Sequence, residues 1–371
     1  MTTILLALLS FALQSAPAAK PPERFAATQP LAELQNKQAV LETDAGTIVI
    51  DLLPDAAPNH VAYFLKLAAE GAYNGTTFHR VIKYGIIQGG DPLSKDPAKR
   101  PAYGTGGLNV LAAEPGAGKH TAGTVSSVIL PGRPDSGGAQ FFICVVDQPA
   151  LDGQYTAFGR VAEGMSVVRR ISEAGVDENG RVVERIEIKS AVIRERPPEP
   201  PTFADEPAEQ LAAYRAVVET SAGRITLAFR PDKAPGHVRN FLSLAAAGVY
   251  DGTTVHRVVR GFVIQGGSMN FRREPLNESQ QRRVRNLEPE FNDLPHRLGT
   301  LSMARGDDPA SASTSFFICT GQASSLDGKY TAFGEVVDGL SVVQAIEGAP
   351  VDGEAPRERI EIIKITVVKS T

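Results

Sequence analysis

The side chains able to do chemistry in this chain come in pairs. All six histidines fall into three: His60 with His237, His79 with His256, His120 with His296. Cys144 and Cys319 make a fourth pair, and each follows Phe-Phe-Ile in an apolar run. That context suits a small buried residue rather than a reactive thiol. Two cysteines exclude a disulfide-stapled scaffold and an all-cysteine zinc site, and the histidines lack the spacing or thiolate partners of a metal site. Gly116-Ala117-Gly118-Lys119 is not a phosphate loop, because Ala113 and His120 replace its first glycine and its final Ser/Thr. Gly104-Thr105-Gly106-Gly107 lacks the βαβ setting of a dinucleotide fingerprint. There is no Gly-x-Ser-x-Gly elbow, and no serine or cysteine has an obvious base beside it. What remains is one arginine among amide and apolar side chains, twice. Arg80 goes with Gln88, Gln140, Phe142, Leu151 and Tyr155; Arg257 goes with Gln265, Phe317, Leu326 and Tyr330.

These pairs reflect a duplication. Val40-Leu41-Glu42-Thr43 recurs as Val217-Val218-Glu219-Thr220, and Thr77-Phe78-His79-Arg80 as Thr254-Val255-His256-Arg257, both at an offset of 177. Residues 40–90 and 217–267 share 29 identities in 51 positions. The offset then falls to 176 at His120/His296 and to 175 at Leu151/Leu326. The reading is two domains, 37–194 and 214–371, joined by a Pro-rich linker, 195–213, that starts with Glu195-Arg196-Pro197-Pro198-Glu199-Pro200-Pro201.

Within a copy the pattern is mainly strand. A hairpin runs over Ala39–Thr43 and Thr47–Leu53, and a helix from Pro58 to Glu70 ends at Gly71. Strands follow at Phe78–Ile82, Ile86–Gly90, Gly123–Ile129, Gln140–Val145, Tyr155–Val161 and Arg181–Ile193, with a short helix at Gly164–Ile171. About eight strands and two helices per copy imply a mainly β fold, two consecutive closed antiparallel barrels capped by helices. A barrel this small fills its own interior, so any site lies on its outer surface.

The chain has 371 residues, with 38 Lys+Arg against 42 Asp+Glu, a net charge of −4. That balance argues against a nucleic-acid partner. Ile4 to Leu13 is apolar and is followed by Ala16-Pro17-Ala18. The run is too short for a membrane span, which needs about 20 residues, and suits the core of a signal peptide. The expectation is a leader at 1–18, an N-terminal extension at 19–36, export to the periplasm without membrane insertion, and a monomer.

At the level of long motifs the chain resembles the cyclophilin family. Phe78-His79-Arg80-Val81-Ile82, Gln88-Gly89-Gly90-Asp91, Gln140-Phe141-Phe142-Ile143 and Leu151-Asp152-Gly153-Gln154-Tyr155-Thr156-Ala157-Phe158-Gly159 are similar to its signatures, in order. Copy two offers His256-Arg257-Val258-Val259-Arg260-Gly261-Phe262-Val263-Ile264-Gln265-Gly266-Gly267, Leu301-Ser302-Met303-Ala304-Arg305 and Leu326-Asp327-Gly328-Lys329-Tyr330. The resemblance implies two eight-stranded barrels, peptidyl-prolyl cis–trans isomerase activity on proline-containing polypeptide clients, and no cofactor.

The chemistry fits the residues. Rotation about an X–Pro bond must overcome about 18–20 kcal/mol of amide resonance. In the twisted state the prolyl nitrogen becomes a hydrogen-bond acceptor, and a fixed guanidinium can donate to it only then. That role falls to Arg80 and Arg257. The proline ring would be gripped by Ile86, Phe142 and Leu151 in copy one, and by Phe262, Val263, Phe317 and Leu326 in copy two, beside the small Ala304. Gln88 and Gln265 would orient the arginine or hold a substrate carbonyl, Gln140 would contact the substrate, and Tyr155 and Tyr330 would cap the pocket. Since arginine stays charged, activity is expected to be nearly flat from about pH 6 to 9.

The copies depart from the pattern differently. Copy one reads Lys83-Tyr84-Gly85-Ile86, with Gly85 where the pocket phenylalanine belongs, and Val128 in place of Ala304. Copy two has Ser315 for Gln140 and Val255 for Phe78. Ala150 and Ser325 stand where the family's cyclosporin site uses tryptophan, so weak drug binding is expected. Copy two is expected to be the better isomerase. The alternative is a chaperone module that grips proline segments with one or both copies weak in turnover. The loops Pro92–Tyr103 and Asn270–Arg285 differ between copies. The second, rich in arginine, reads as a solvated loop or a dock for an acidic partner.

Overall fold

The structure is a computed structural model that describes residues 24–114, 116 and 118–370. The expected leader, 1–18, lies outside the described residues. Two closed antiparallel barrels of eight strands follow one another. Barrel one contains β1 (Lys37–Thr43), β2 (Gly46–Leu52), β3 (Thr76–Ile82), β4 (Ile86–Gly89), β5 (Thr124–Ser127), β6 (Phe141–Cys144), β7 (Ala157–Glu163) and β8 (Glu187–Glu195). They close in the order β1-β2-β7-β5-β6-β4-β3-β8. Barrel two contains β9 (Tyr214–Thr220), β10 (Gly223–Phe229), β11 (Thr253–Val259), β12 (Val263–Gly266), β13 (Thr300–Met303), β14 (Phe316–Cys319), β15 (Ala332–Asp338) and β18 (Ile360–Lys369). It closes in the matching order β10-β15-β13-β14-β12-β11-β18-β9. A two-stranded hairpin, β16 (Val351–Asp352) with β17 (Ala355–Pro356), stands beside it.

The helices are α1 (Leu31–Leu34), α2 (Pro58–Ala69), α3 (Met165–Ser172), α4 (Ala208–Leu211), α5 (Pro235–Ala246), α6 (Glu278–Arg283) and α7 (Leu340–Glu347). Alternation along the strands sends Leu41, Ile48, Ile50, Phe78, Val81, Ile87, Val125, Phe141 and Ile143 into the lumen of barrel one. Their burial, worth about 1.5–3 kcal/mol for each large side chain, leaves the interior filled. No helix among the described residues is long and apolar enough to cross a membrane. No group of three or more His, Cys, Asp or Glu among them could hold a metal ion.

The long helices α2 and α5 begin without a local side-chain cap, at Ala57 and Ala234. A distant carboxylate supplies it. Glu114 accepts from the Asn59 and His60 backbone N–H groups at 3.1 and 3.0 Å, and also meets His60 Nδ1 at 2.5 Å. Glu290 does the same for Gly236 and His237 at 2.9 and 2.8 Å, and meets His237 Nδ1 at 2.6 Å. The helix dipole and the orphan N–H groups both favour an anion there.

The arginine-rich segment is built into the protein. Arg272 donates to the carbonyls of Val249 and Gly248 at 3.0 and 3.2 Å. Arg283 donates to the carbonyl of Pro200 at 2.7 Å and to Ser243 Oγ at 3.0 Å, tying the proline-rich stretch to α5. The same segment reaches barrel one. Glu274 accepts from the Ser166 N–H at 3.0 Å in the first turn of α3, Asn277 donates to the Ala162 carbonyl at 3.4 Å, and Glu278 pairs with Arg160 at 3.0 Å. Phe203 and Leu211, beyond the prolines, pack in the core of barrel two.

Burial alone would raise the Glu290 carboxyl, but the His237 hydrogen bond and the N–H groups of Gly236 and His237 outweigh it and hold it below the usual carboxylate range. A lowered carboxyl stabilises the fold above its unfolded value of about 4.3 and loses that stabilisation as pH falls through the folded value. Glu290→Gln is therefore expected to cost barrel two about 1 kcal/mol at pH 7. Urea midpoints of wild type and variant should differ at pH 7 and converge in acid. Equal midpoints at pH 7 contradict the capping role.

Candidate functional site

A β-bulge decides where each lone arginine points. Across β3 and β4, Phe78 pairs with Gly89 and Arg80 with Gln88, so His79 is the extra residue. In a regular strand residues two apart share a face. Here Phe78 and Val81 both enter the core, and Arg80 turns outward between them. The bulge recurs at His256: Val255 pairs with Gly266 and Arg257 with Gln265, while Val255 and Val258 are core residues. Bulges commonly re-aim one side chain in this way.

In barrel two the outward arginine lies near a small apolar cluster. Val263, Phe317, Cys319 and Ala323 form a buried cluster separate from the barrel core, with Phe262, Ala304, Leu326 and Tyr330 half-buried against it. Gln265 lies cross-strand from both Arg257 and Phe317. Its Oε1 accepts from Arg257 Nη1 at 3.3 Å. The Tyr330 ring meets Phe317 edge-on, 5.8 Å between centroids, and the Arg305 guanidinium lies 4.6 Å from the Tyr330 ring centre. The expected pocket residues of copy two thus stand on one outer face.

Barrel one brings Arg80, Gln88 and Phe142 into the same register. Its polar side is an amide relay. Arg80 Nη1 donates to Gln88 Oε1 at 3.4 Å, Gln88 Nε2 to Gln140 Oε1 at 3.0 Å, and Gln140 Nε2 to the Gly106 carbonyl at 2.7 Å. Tyr155 meets Phe142 edge-on at 5.4 Å. Leu151 is half-buried, and its carbonyl accepts from the Tyr155 N–H at 3.3 Å. Ile86, also half-buried, pairs with Cys144 across β4 and β6.

The apolar side of barrel one is more open. The Gly85 N–H bonds to the Ile82 carbonyl as the Phe262 N–H bonds to that of Val259, so glycine occupies the phenylalanine's place. Tyr84 does not replace the ring. It sits in the turn at φ 58°, 56% exposed, with the Lys83 ammonium 5.3 Å from its centre. Phe142 and Cys144 are buried, yet no separate apolar cluster forms around them among the described residues.

Behind Phe142 and Phe317 lies a hydrogen-bonded chain that sequence reasoning missed. His120 contacts Asp152 Oδ1 through Nδ1 at 3.2 Å and Ser126 Oγ through Nε2 at 2.7 Å. His296 contacts Asp327 at 2.9 Å and Ser302 at 3.0 Å. The imidazoles stack on Phe142 and Phe317 with centroids 6.2 and 6.0 Å apart. The order Asp–His–Ser matches a hydrolase triad, but both serines are fully buried and no substrate could reach them. The chain fixes the rings instead. The serines lie 6 residues from their histidines and the aspartates more than 30 away, so spacing gave no signal.

The remaining histidines and the cysteines are buried or packed side chains, Cys319 as part of the apolar cluster. Burial pushes His79 and His256 below the usual imidazole value. His256 stacks on Phe271 at 4.7 Å. Both cysteines are buried and unpaired, their thiols pushed up to about 12 by burial. The second residue missed is Glu354, whose carboxylate accepts from Arg257 Nε at 2.6 Å.

Comparison with known proteins agrees with the two-barrel fold. The profile described as "Cyclophilin type peptidyl-prolyl cis-trans isomerase/CLD" matches residues 39–193 and 215–367. "Peptidyl-prolyl cis-trans isomerase-like 1" of Neurospora crassa is 39% identical over 156 residues, 42% of this chain and 93% of that protein. A "Probable peptidyl-prolyl cis-trans isomerase" of Brucella suis is 40% identical over 159 residues, 42% of this chain and 81% of its own. Among solved structures, a cyclophilin type peptidyl-prolyl cis-trans isomerase of Cryptosporidium parvum, crystallised in the presence of the dipeptide Ala-Pro, is similar at 29% identity. That likeness covers 43% of this chain and 99% of the other, with a TM-score of 0.38. The family profile spans both barrels, and the chain belongs to the cyclophilin-type peptidyl-prolyl cis-trans isomerases twice over.

Proposed function

We propose that barrel two is the principal isomerase site and that Arg257 drives rotation about the X–Pro bond of bound polypeptides. The observation that carries this reading is the apolar cluster of Val263, Phe317, Cys319 and Ala323, bordered by Phe262 and lying beside an arginine with uncommitted donors. The cluster holds the proline ring by apolar burial in either isomer. Gln265 limits where the guanidinium can go. When the amide twists, its nitrogen regains a lone pair, and an Arg257 N–H donates to it. That hydrogen bond exists only near the transition state, so it lowers the barrier rather than the ground state. No proton is transferred and no covalent bond is made.

Barrel one is read as the weaker enzyme and the client-holding partner. Gly85 removes the ring that Phe262 supplies, and the relay through Gln88 and Gln140 leaves Arg80 with one long hydrogen bond. The clients are proline-containing polypeptides outside the cytoplasm, met by a monomer. The support for export is the apolar run from Ile4 to Leu13 ahead of Ala16-Pro17-Ala18.

The test is cis–trans isomerisation of a short X–Pro peptide. Arg257→Ala is expected to remove most of the activity, cutting the barrel-two contribution about 100-fold. Arg80→Ala should remove a minor share. A larger loss from Arg80→Ala overturns the assignment of the principal site.

The pH profile is a second test. Burial pushes His79 and His256 down, and His296 is also pushed down by burial against the opposing pull of Asp327. A lowered imidazole is neutral above its usual value of about 6.5. The charge bordering the groove is then that of arginine, which does not titrate there. Turnover should be flat from about pH 7 to 9, and a bell-shaped profile centred near neutrality contradicts the mechanism.

A further inference from the structure

Glu354 follows Gly353, which turns the β16–β17 hairpin at φ 64°. Its carbonyl accepts from the Val258 N–H at 2.7 Å, pinning the hairpin to β11 one residue from Arg257. Its carboxylate takes two N–H groups of that arginine, Nε at 2.6 Å and Nη2 at 3.3 Å. Gln265 takes a third, on Nη1 at 3.3 Å. A guanidinium has five N–H donors. One therefore remains on Nη1 and one on Nη2. Two acceptors on different elements, a hairpin and β12, thus hold one planar group, which fixes both its position and its rotation.

Barrel one shows what the site is without this residue. The Val81 N–H donates to the Gly180 carbonyl at 2.9 Å, as the Val258 N–H does to Glu354, so Gly180 occupies the equivalent place. A Cβ built on Gly180 would lie 4.0 Å from Arg80 Cγ. The position overlooks the arginine in both barrels, and only barrel two puts an acid there. The neighbouring Arg181 turns away and donates to the Pro101 carbonyl at 3.1 Å.

We propose that Glu354 is a positioning residue for the isomerase reaction: its carboxylate presets Arg257 so that one of the two remaining N–H groups meets the twisted prolyl nitrogen. The inference rests on the reading of barrel two as the principal site. It makes Glu354 a determinant of turnover and not of substrate affinity, because it touches the arginine and not the apolar cluster. It also gives a reason, beyond the pocket ring, for the two copies to differ in rate.

The test uses the full chain carrying Arg80→Ala, so that turnover reports barrel two, with Glu354→Ala and Glu354→Gln added singly. Glu354 is on an exposed turn, so both variants should fold. In Glu354→Ala, kcat for an X–Pro peptide is expected to fall about tenfold with KM within about twofold. Glu354→Gln should recover part of the loss, because its amide oxygen still accepts one N–H. A second readout is independent of activity. With the carboxylate present, rotation about the Arg257 Nε–Cζ bond is slowed and its Nη groups give separate nitrogen signals by NMR; in Glu354→Ala they average. Unchanged or raised kcat in Glu354→Ala, or Nη signals indifferent to Glu354, overturns the positioning role. If the Arg80→Ala parent is inactive while Glu354 still splits the Nη signals, the barrel-two isomerase reading fails, and the inference fails with it.

Discussion

One extra residue in one strand sets the terms for the site. Without the bulge at His79 or His256, the strict period of two would put Arg80 on the face of Phe78, and Arg257 on that of Val255. Both arginines would then be buried, uncompensated, in a lumen already filled by apolar side chains. The bulge lets Phe78 and Val81 enter the core while the residue between them faces out. It also costs something: His79 is left buried with neither ring nitrogen hydrogen-bonded. Burial lowers the His79 pKa and so favours the neutral ring there. Among the described residues, apolar side chains fill the interiors of both barrels, and the surface left free is the wall. The bulge is what gives that wall a fixed cation beside an apolar surface.

From that shared frame the two copies have diverged in how they hold the cation and the ring. Barrel one backs its arginine with a relay of two amides that ends on the Gly106 carbonyl. Barrel two has Ser315 in place of Gln140, and recruits Glu354 from outside the sheet. Barrel two keeps Phe262 against its apolar cluster, where barrel one has Gly85. A ring could not simply be restored there: a Cβ at Gly85 would meet Ile82 Cγ2 at 3.0 Å. Both copies retain the Asp–His–Ser chain behind the groove phenylalanine, so support for the ring survives where the pocket has opened. The proposed division of labour between a turning and a holding barrel rests on these local differences on one fold.

Much of this was legible in the sequence because it is local or repeated. Ile48 and Ile50 announce a strand, Pro58 and Gly71 bracket a helix, and the 177-residue offset announces the duplication. The arginine, its glutamine and the groove phenylalanine were legible through their motifs. The rest depends on register and on distant partners. A bulge is visible only once the opposite strand is known, since Phe78-His79-Arg80 reads as ordinary alternation. Tyr84 adjoins Gly85 in sequence, and its positive φ places it in an exposed turn. Glu114 and Glu290 cap helices more than 50 residues away in sequence. Glu354 lies 97 residues from Arg257, in a hairpin where the two copies differ in length, so their alignment hid the match to Gly180. The arginines at 272 and 283 looked solvated because the carbonyls they satisfy carry no sequence signal.

The central claim is that the groove binds the ground state while the arginine serves only the twisted state. Exchange NMR on an Ala-Pro-containing peptide separates the two directly. It reads binding from shifts of the peptide signals and turnover from magnetisation passing between cis and trans. With barrel one silenced by Arg80→Ala, adding Arg257→Ala should leave binding within a few-fold and abolish the cis–trans exchange. Exchange that persists in the double variant, or binding that vanishes together with it, would contradict the account.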